Sequence, residues 1–315
     1  MDAYKKRVPA PFAAPIDAST RYCAVFGHPV RHSASPAMHN AAMAALGLNW
    51  RYLACDVDPA RLREAIIGAT TMGFVGLNLT VPHKLLAVEL VDELDRSARE
   101  WGAVNAVRFE GEGAKGIWKP VWEFAEAPEK VRSVGFNTDA EAIIQSLQED
   151  LGFTAKGKRV LLLGAGGAGR VAALRLAAAG VSELFLLNRT PSKAAEVARE
   201  VQNRFPQVKA ATDYPQGQVD LLLNATSLGL RLADALPVDG SKFRLERAGA
   251  VYDMIYRPAE TALLKEAKAA GCRTANGLGM LLYQGAGALE LWTGQKPPIT
   301  LMRDALVRNI YGTPA

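Results

Sequence analysis

The chain has 315 residues, long enough for two domains that each bury an interior of their own. Apolar residues make up 49% and charged residues 22%, which excludes a disordered chain, and Lys plus Arg exceed Asp plus Glu by 37 to 32 without any polybasic block, which fits small anionic ligands better than nucleic acid. Cys23, Cys55 and Cys272 are scattered and lack a C-x-x-C spacing, so they exclude a disulfide or zinc framework and read as reduced thiols of a cytoplasmic protein.

Residues 1–20, MDAYKKRVPAPFAAPIDAST, read as a loose leader. Pro9, Pro11 and Pro15 and the want of an apolar run make the stretch unlike a signal peptide or a spanning helix, so no membrane role is expected. From residue 22 the pattern alternates: strand 22–26, helix 36–46, strand 50–54, helix 58–72, strand 74–80, helix 84–94, and a further strand in AVNAVRF. This alternation predicts an α/β sheet. Residues 110–133, rich in Gly, Pro and Trp and without either period, read as an inserted loop or hairpin. A second alternation begins at Lys158 with KRVLLLGAGGAGR, an alanine-rich helix, ELFLLNRT, another helix, VDLLLNATS and GAVYDMIY. The tail, MLLYQGAGALELWTG and PITLMRDALVRNIYG, predicts two amphipathic helices.

Gly164, Gly166 and Gly169 form G-x-G-x-x-G between the apolar strand 160–163 and the helix 171–179. In that setting the glycines permit a tight turn, approach of the backbone to a pyrophosphate and close helix–strand packing, with phosphates on the helix N-terminus. An NAD-selective site would carry Asp or Glu at the end of the next strand, to hold the ribose 2′-hydroxyl. Here the position reads Asn188, Arg189, Thr190, with Lys193 a turn later. A carboxylate would repel a 2′-phosphate and Arg189 can pair with it, so NADP is favoured and NAD is the second choice. Thr190 is explained almost as well as a helix cap before Pro191.

In HPVRHSASPAMHN, Ser35 before Pro36 fits a helix cap, whereas Ser33 has no local structural reason; two hydroxyls so close can bracket a polyol or carboxylate. His28, His32 and His39 lie nearby without zinc-site spacing, and no metal is expected. In GFNTDAEAIIQSL, Thr138 and Glu141 fit a capping box and Asp139 a first-turn acid, so all three have structural explanations. Lys84, at the end of FVGLNLTVPHK, is different. A helix N-terminus disfavours an ammonium, and a lysine held between that end and a carboxylate on a cleft is a candidate proton donor or acceptor; the alternative is an exposed, hydrated ammonium. His83 reads as structural.

In order, GHPVRHSASPAMHN, GLNLTVPHK, GAVNAV, GFNTD, GAGGAGR, NRT, NATSLG, YDMIYRP and GLGMLLYQGAGALELWTG resemble the shikimate/quinate dehydrogenases from residue 22 to 294. The resemblance implies a discontinuous two-domain α/β protein: an N-terminal substrate domain (21–136 plus 278–315), completed by the C-terminal helices, and a Rossmann-type, doubly wound NADP-binding domain (137–277). It implies Lys84 as the catalytic lysine and Asp139 as its partner. Ser33, Ser35, Asn78, Thr80, Asn105 and Gln284 would hydrogen-bond the substrate, with Tyr256 close by. Gly164, Gly166, Gly167, Gly169, Asn188, Arg189, Thr190, Lys193, Thr226 and Ser227 would line the cofactor, and Met254 and Gly277 would flank the nicotinamide. The implied reaction is hydride transfer between shikimate and 3-dehydroshikimate, in aromatic amino acid biosynthesis by way of chorismate, with a small-molecule substrate as the only partner of a monomer or homodimer.

Three departures fall near the site: Ala140, Glu141 and Ala142 follow Asp139 where glycines are common, Leu230 replaces a usual methionine, and residues 110–133 lengthen the approach to Asn137. Quinate or an amino-substituted analogue is therefore the alternative substrate. A non-catalytic NADP-binding paralogue would not need both Lys84 and Asp139, and a methylenetetrahydrofolate dehydrogenase would not share the paired serines, NTD and YQG.

Overall fold

The computed structural model describes residues 16–312 apart from Leu232, so most of the expected leader lies outside the described residues. Its end is not loose. Thr20 is buried and donates to Asn49 Oδ1 at 3.0 Å, and Asn49 Nδ2 donates to Asp17 Oδ1 at 3.0 Å.

The first half of the chain builds β1 (Arg21–Gly27), α1 (Ser35–Ala45), β2 (Trp50–Asp56), α2 (Leu62–Thr71), β3 (Gly76–Leu79), α3 (His83–Leu86), β4 (Glu93–Leu94), α4 (Arg96–Trp101), β5 (Ala106–Glu112), β6 (Trp118–Pro120) and β7 (Val131–Phe136). These strands form one mixed sheet in the order β2-β1-β3-β5-β7-β4, with β6 on β5. The helical crossovers make β1, β2 and β3 parallel, while β5 runs antiparallel to β3 and β7. In the middle of this sheet Asn78 faces Val25 on one side and Ala106 on the other.

The second half contributes α5 (Asp139–Leu151), β8 (Arg159–Leu163), α6 (Gly167–Ala178), β9 (Glu183–Leu187), α7 (Pro191–Arg204), β10 (Lys209–Ala211), β11 (Leu221–Asn224), β12 (Ala250–Asp253), α8 (Ala262–Ala269) and β13 (Arg273–Asn276). Its strands are all parallel, in the order β10-β9-β8-β11-β12-β13. Buried on both faces, β8 from Val160 to Leu163 and β11 from Leu221 to Leu223 are unbroken runs of Leu and Val, as a covered parallel sheet requires. The winding reverses between β8 and β11, and there the carboxyl ends of the strands open a crevice suited to a ligand.

The final helices α9 (Leu278–Thr293) and α10 (Ile299–Tyr311) return to the first sheet. Trp292 on α9 is fully buried and donates from Nε1 to Val107 O at 2.9 Å, and its ring occupies the space that a side chain at Gly76 would need. Cutting Trp292 to alanine would cost roughly 3–5 kcal/mol.

Two local expectations are corrected, and a third, the hairpin at 110–133, is met. Residues 84–94 are not one helix: α3 is a single turn, a 3-10 turn follows at Ala87–Glu89, and the chain then joins the sheet as β4. Asp92 stops the helix by accepting from both the N–H and the hydroxyl of Ser133 at 2.7 Å, a tertiary pairing that outweighs local helix preference. The inserted stretch 110–133 is an antiparallel extension in which β5 and β6 pair, anchored by Trp122 Nε1 donating to Trp292 O at 2.6 Å. Helix caps also differ: Ser35, Thr138 and Thr190 make no side-chain cap bond, and the hydroxyl of Thr138 serves other partners.

Candidate active site

Between the two sheets lies a cavity of about 210 Å³, walled by the carboxyl ends of β1 and β3, the start of α1, the first turns of α3, α5 and α6, the segment after β12, and α9. Ser33, Ser35, Asn78, Thr80, Lys84, Asp139, Met254, Tyr256, Gly277 and Gln284 all line it. The topology thus brings together residues spread over about 250 positions of sequence. Val25, Val30, Leu79 and Leu281 supply apolar wall, so a ring with polar substituents matches the lining.

Lys84 Nζ donates to Asp139 Oδ2 at 2.6 Å. The Lys84 side chain is 15% exposed and Asp139 1%, so neither charge is freely hydrated. Such a pair is costly to bury unless its remaining valences are filled, and on the Asp139 side they are. Asn105 Nδ2 donates to Asp139 Oδ1 at 3.0 Å and to Thr138 Oγ1 at 2.9 Å, while Asn105 Oδ1 accepts the Thr138 N–H at 2.7 Å. Thr138 Oγ1 in turn donates to Gln284 O at 2.8 Å, which fastens the start of α5 to α9. Both amide N–H groups of Asn105 are therefore engaged behind Asp139, and Asn105, expected to touch the substrate, is buried and does not line the cavity. Lys84 is tethered as well: its carbonyl accepts from Val104 N at 2.9 Å, one residue before Asn105.

Sequence reasoning missed three supporting residues. Asn137 caps α5, its Oδ1 accepting from Ala140 N at 3.1 Å while Nδ2 donates to Ala103 O at 3.0 Å. Tyr52 donates to Asn78 Oδ1 at 2.7 Å; a tyrosine on a buried strand needs a partner for its hydroxyl, and that was the available signal. Asp253 holds the loop after β11 through Asn224 Nδ2 at 3.0 Å, itself held by Thr261 Oγ1 at 2.7 Å; burial pushes its carboxyl above the usual range. His39 and His83 are fully buried with no side-chain hydrogen-bond partner among the described residues, and desolvation lowers both, His39 to about 3. No group of three or more His, Cys, Asp or Glu side chains able to hold a metal occurs among the described residues.

The cofactor side is built from backbone. Gly164 has φ +106°, open to glycine at little cost, and its N–H donates to Leu187 O at 2.7 Å. A Cβ on Gly169 would overlap the Gly164 carbonyl, so helix and turn pack as the glycine pattern requires, while Gly166 faces open space. Asn188 Oδ1 accepts the Ala165 N–H at 3.1 Å and Nδ2 donates to Thr190 O at 2.9 Å, joining this turn to the end of β9. Arg189, Thr190 and Lys193 are exposed, and neither cation has an ion-pair partner among the described residues. Thr226 is set by Asn224 Oδ1, which accepts from its N–H at 3.0 Å and its hydroxyl at 2.8 Å; Ser227 follows on the same loop, with Leu230 exposed beyond it. Gly277 lies so close to the Met254 carbonyl that a Cβ would overlap it, and both face the cavity. An open glycine turn on a helix N-terminus, followed by two uncompensated cations, fits a dinucleotide with an extra phosphate. The two sides meet: a Cβ placed on Gly167 would lie in ordinary contact with Lys84, 3.9 Å from its Cβ.

Residues 25–107 match the sequence model of the family described as shikimate dehydrogenase substrate binding domain, 145–233 that of shikimate/quinate 5-dehydrogenase, and 277–307 that of shikimate 5′-dehydrogenase C-terminal domain. A shikimate dehydrogenase (NADP(+)) of Methanopyrus kandleri is 40% identical over 302 residues, covering 94% of this chain and 98% of that protein. A crystal structure of a shikimate dehydrogenase in complex with NADP+ superposes with a TM-score of 0.80 at 37% identity, covering 96% of this chain and 99% of that one. The shikimate 5-dehydrogenase of Thermus thermophilus, in complex with NADP(H) and shikimate, gives 0.75 at 37% identity, covering 91% and 99%. With matches that run across both sheets and the returning helices, this chain belongs to the shikimate dehydrogenase family.

Proposed function

We propose that the protein interconverts shikimate and 3-dehydroshikimate with NADP. The observation that carries this reading is the buried Lys84–Asp139 pair at 2.6 Å in a small, partly apolar cavity that borders the glycine turn. A bound nicotinamide supplies or accepts the hydride at the ring carbon that bears the reacting oxygen. Lys84 Nζ gives the proton to that oxygen in reduction and takes it in oxidation. Asp139 holds Nζ in place, and Asn105 and Thr138 hold Asp139. Ser33, Ser35, Asn78, Thr80 and Gln284 meet the remaining hydroxyls and the carboxylate, and Tyr256 closes one wall.

Arg189 and Lys193 pair with the 2′-phosphate and select NADP over NAD; Gly164, Gly166, Gly167 and Gly169 seat the pyrophosphate, Asn188, Thr190, Thr226 and Ser227 border it, and Met254 and Gly277 flank the nicotinamide. In this reading residues 21–136 with 278–315 handle the substrate and 137–277 the cofactor. No helix among the described residues is long and apolar enough to cross a membrane, and Cys23, Cys55 and Cys272 are free thiols. Both are compatible with a cytoplasmic enzyme that acts as a monomer or homodimer on a small molecule without nucleic acid.

The test is an assay of purified protein with shikimate or quinate and NADP or NAD, following the reduced nicotinamide. Shikimate with NADP should give the highest kcat/KM; turnover with none of the four pairs would overturn the proposal, and a preference for quinate would move it to the alternative substrate.

A further inference from the structure

Asn78 stands in the cavity wall with most of its amide already committed. One side of that amide faces the carbonyl oxygen of Asn105 at 3.1 Å, and a carbonyl oxygen only accepts, so the group facing it is Nδ2. Oδ1 then points to the Tyr52 hydroxyl at 2.7 Å, which must donate. Of the two N–H groups on Nδ2 one is used, and the other is what Asn78 can offer a ligand.

Tyr52 is held for this task from several directions. It is 2% exposed, and its ring stacks on His39 with centroids 4.2 Å apart and planes within 5°. Asn40 brackets its backbone, Oδ1 accepting Tyr52 N–H and Nδ2 donating to Tyr52 O, both at 2.9 Å. The hydroxyl held in this way reaches from β2 to Asn78 on β3, 26 residues away in sequence. Burial also holds the phenol in its neutral, donating form.

We propose that Tyr52 is a positioning residue for the substrate site: by donating to Asn78 Oδ1 it fixes Asn78 as an N–H donor toward an oxygen of the bound ring acid. The site then prefers a hydroxyl or carboxylate oxygen at that place, and an ammonium there meets a donor and binds poorly. Loss of the Tyr52 hydroxyl leaves Oδ1 buried without its donor, and the amide turns toward another one, the substrate's own O–H included. The inference rests on the dehydrogenase reading above.

The experiment is a double-mutant cycle on KM and kcat with shikimate and NADP, using Tyr52→Phe, Asn78→Ala and the pair, with the thermal midpoint of each. Tyr52→Phe keeps the ring on His39, and it should raise the KM for shikimate about tenfold, the size of one lost hydrogen bond, with kcat changed less than about threefold and the KM for NADP unchanged. Asn78→Ala should raise the same KM at least as much, and the double variant should match Asn78→Ala alone. An unchanged KM in Tyr52→Phe, penalties that multiply in the double variant, or an equal loss for shikimate and NADP would each overturn the inference. Wild-type turnover of shikimate is the control that separates this result from the parent reading: its absence would strike the dehydrogenase assignment itself.

Discussion

The two halves of the proposed active site are made of different materials. On the substrate side, side chains do the work: Lys84, Asp139, Asn105, Thr138, Asn78 and Tyr52 form a buried network in which each polar group is held by the next. On the cofactor side, the work falls to backbone and to solvent-facing charge: glycines at 164, 166 and 169 clear space, and Arg189 and Lys193 stand exposed without partners among the described residues. The contrast follows from the ligands. A pyrophosphate is recognised by backbone N–H groups at a helix end and needs room more than contacts, whereas stereospecific proton transfer needs one side chain held still.

Substitutions on the two sides should therefore fail in different ways. The largest effect is expected from Lys84→Met, which should lower kcat by about a thousandfold or more while the Kd for shikimate changes far less, measured by steady-state kinetics and calorimetry. Unchanged turnover would remove Lys84 from the chemistry. Next comes Gly169→Ala. Its methyl would overlap the Gly164 carbonyl, so NADP binding should weaken at least tenfold and the thermal midpoint should fall, with shikimate binding nearly intact; equal loss of both ligands would blur the division drawn above.

Arg189→Ala should be milder and more selective. The KM for NADP should rise about tenfold or somewhat more, and the KM for NAD should change little, because only NADP carries the phosphate that the guanidinium is proposed to meet. Equal losses would contradict the 2′-phosphate role. The smallest effect concerns stability rather than rate. Burial drops His39 from 6.5 to about 3, so the folded state refuses a proton that the unfolded chain takes up. Its contribution is fully present above pH 6.5 and is lost as the pH falls from there toward 3, with a slope approaching about 1.4 kcal/mol per pH unit. His39→Phe should flatten that limb in urea unfolding series run between pH 4 and 7; His83, lowered in the same direction, keeps part of it.

The two regions also differed in how far they could be read in advance. The cofactor turn was legible because its meaning is local: a strand, three glycines at fixed spacing and a helix, with NRT at the end of the next strand. The parallel sheets were legible for the same reason, through alternating periods. The substrate network was legible only in its members. That Lys84 and Asp139 pair depends on the turn α3 and the start of α5 coming together, 55 residues apart, and nothing in either motif alone requires it. Local rules misled where tertiary bonds compete with them. Residues 84–94 have a helical pattern, yet Asp92 binds Ser133 and draws the chain into the sheet; Thr138 has the spacing of a cap, yet its hydroxyl serves Gln284 and Asn105 while Asn137 caps the helix. Tyr52 went unnoticed because its role lies wholly in a partner from another strand.

The most direct test of the central claim, that Lys84 and Asp139 act as one unit in proton transfer, is a kinetic cycle of Lys84→Met, Asp139→Asn and the double variant, read as the single-turnover rate of NADP reduction by shikimate. If the pair acts as a unit, Asp139→Asn alone slows the step about a hundredfold or more and the double variant is no slower than Lys84→Met. Losses that multiply, or an Asp139→Asn rate equal to wild type, would contradict it.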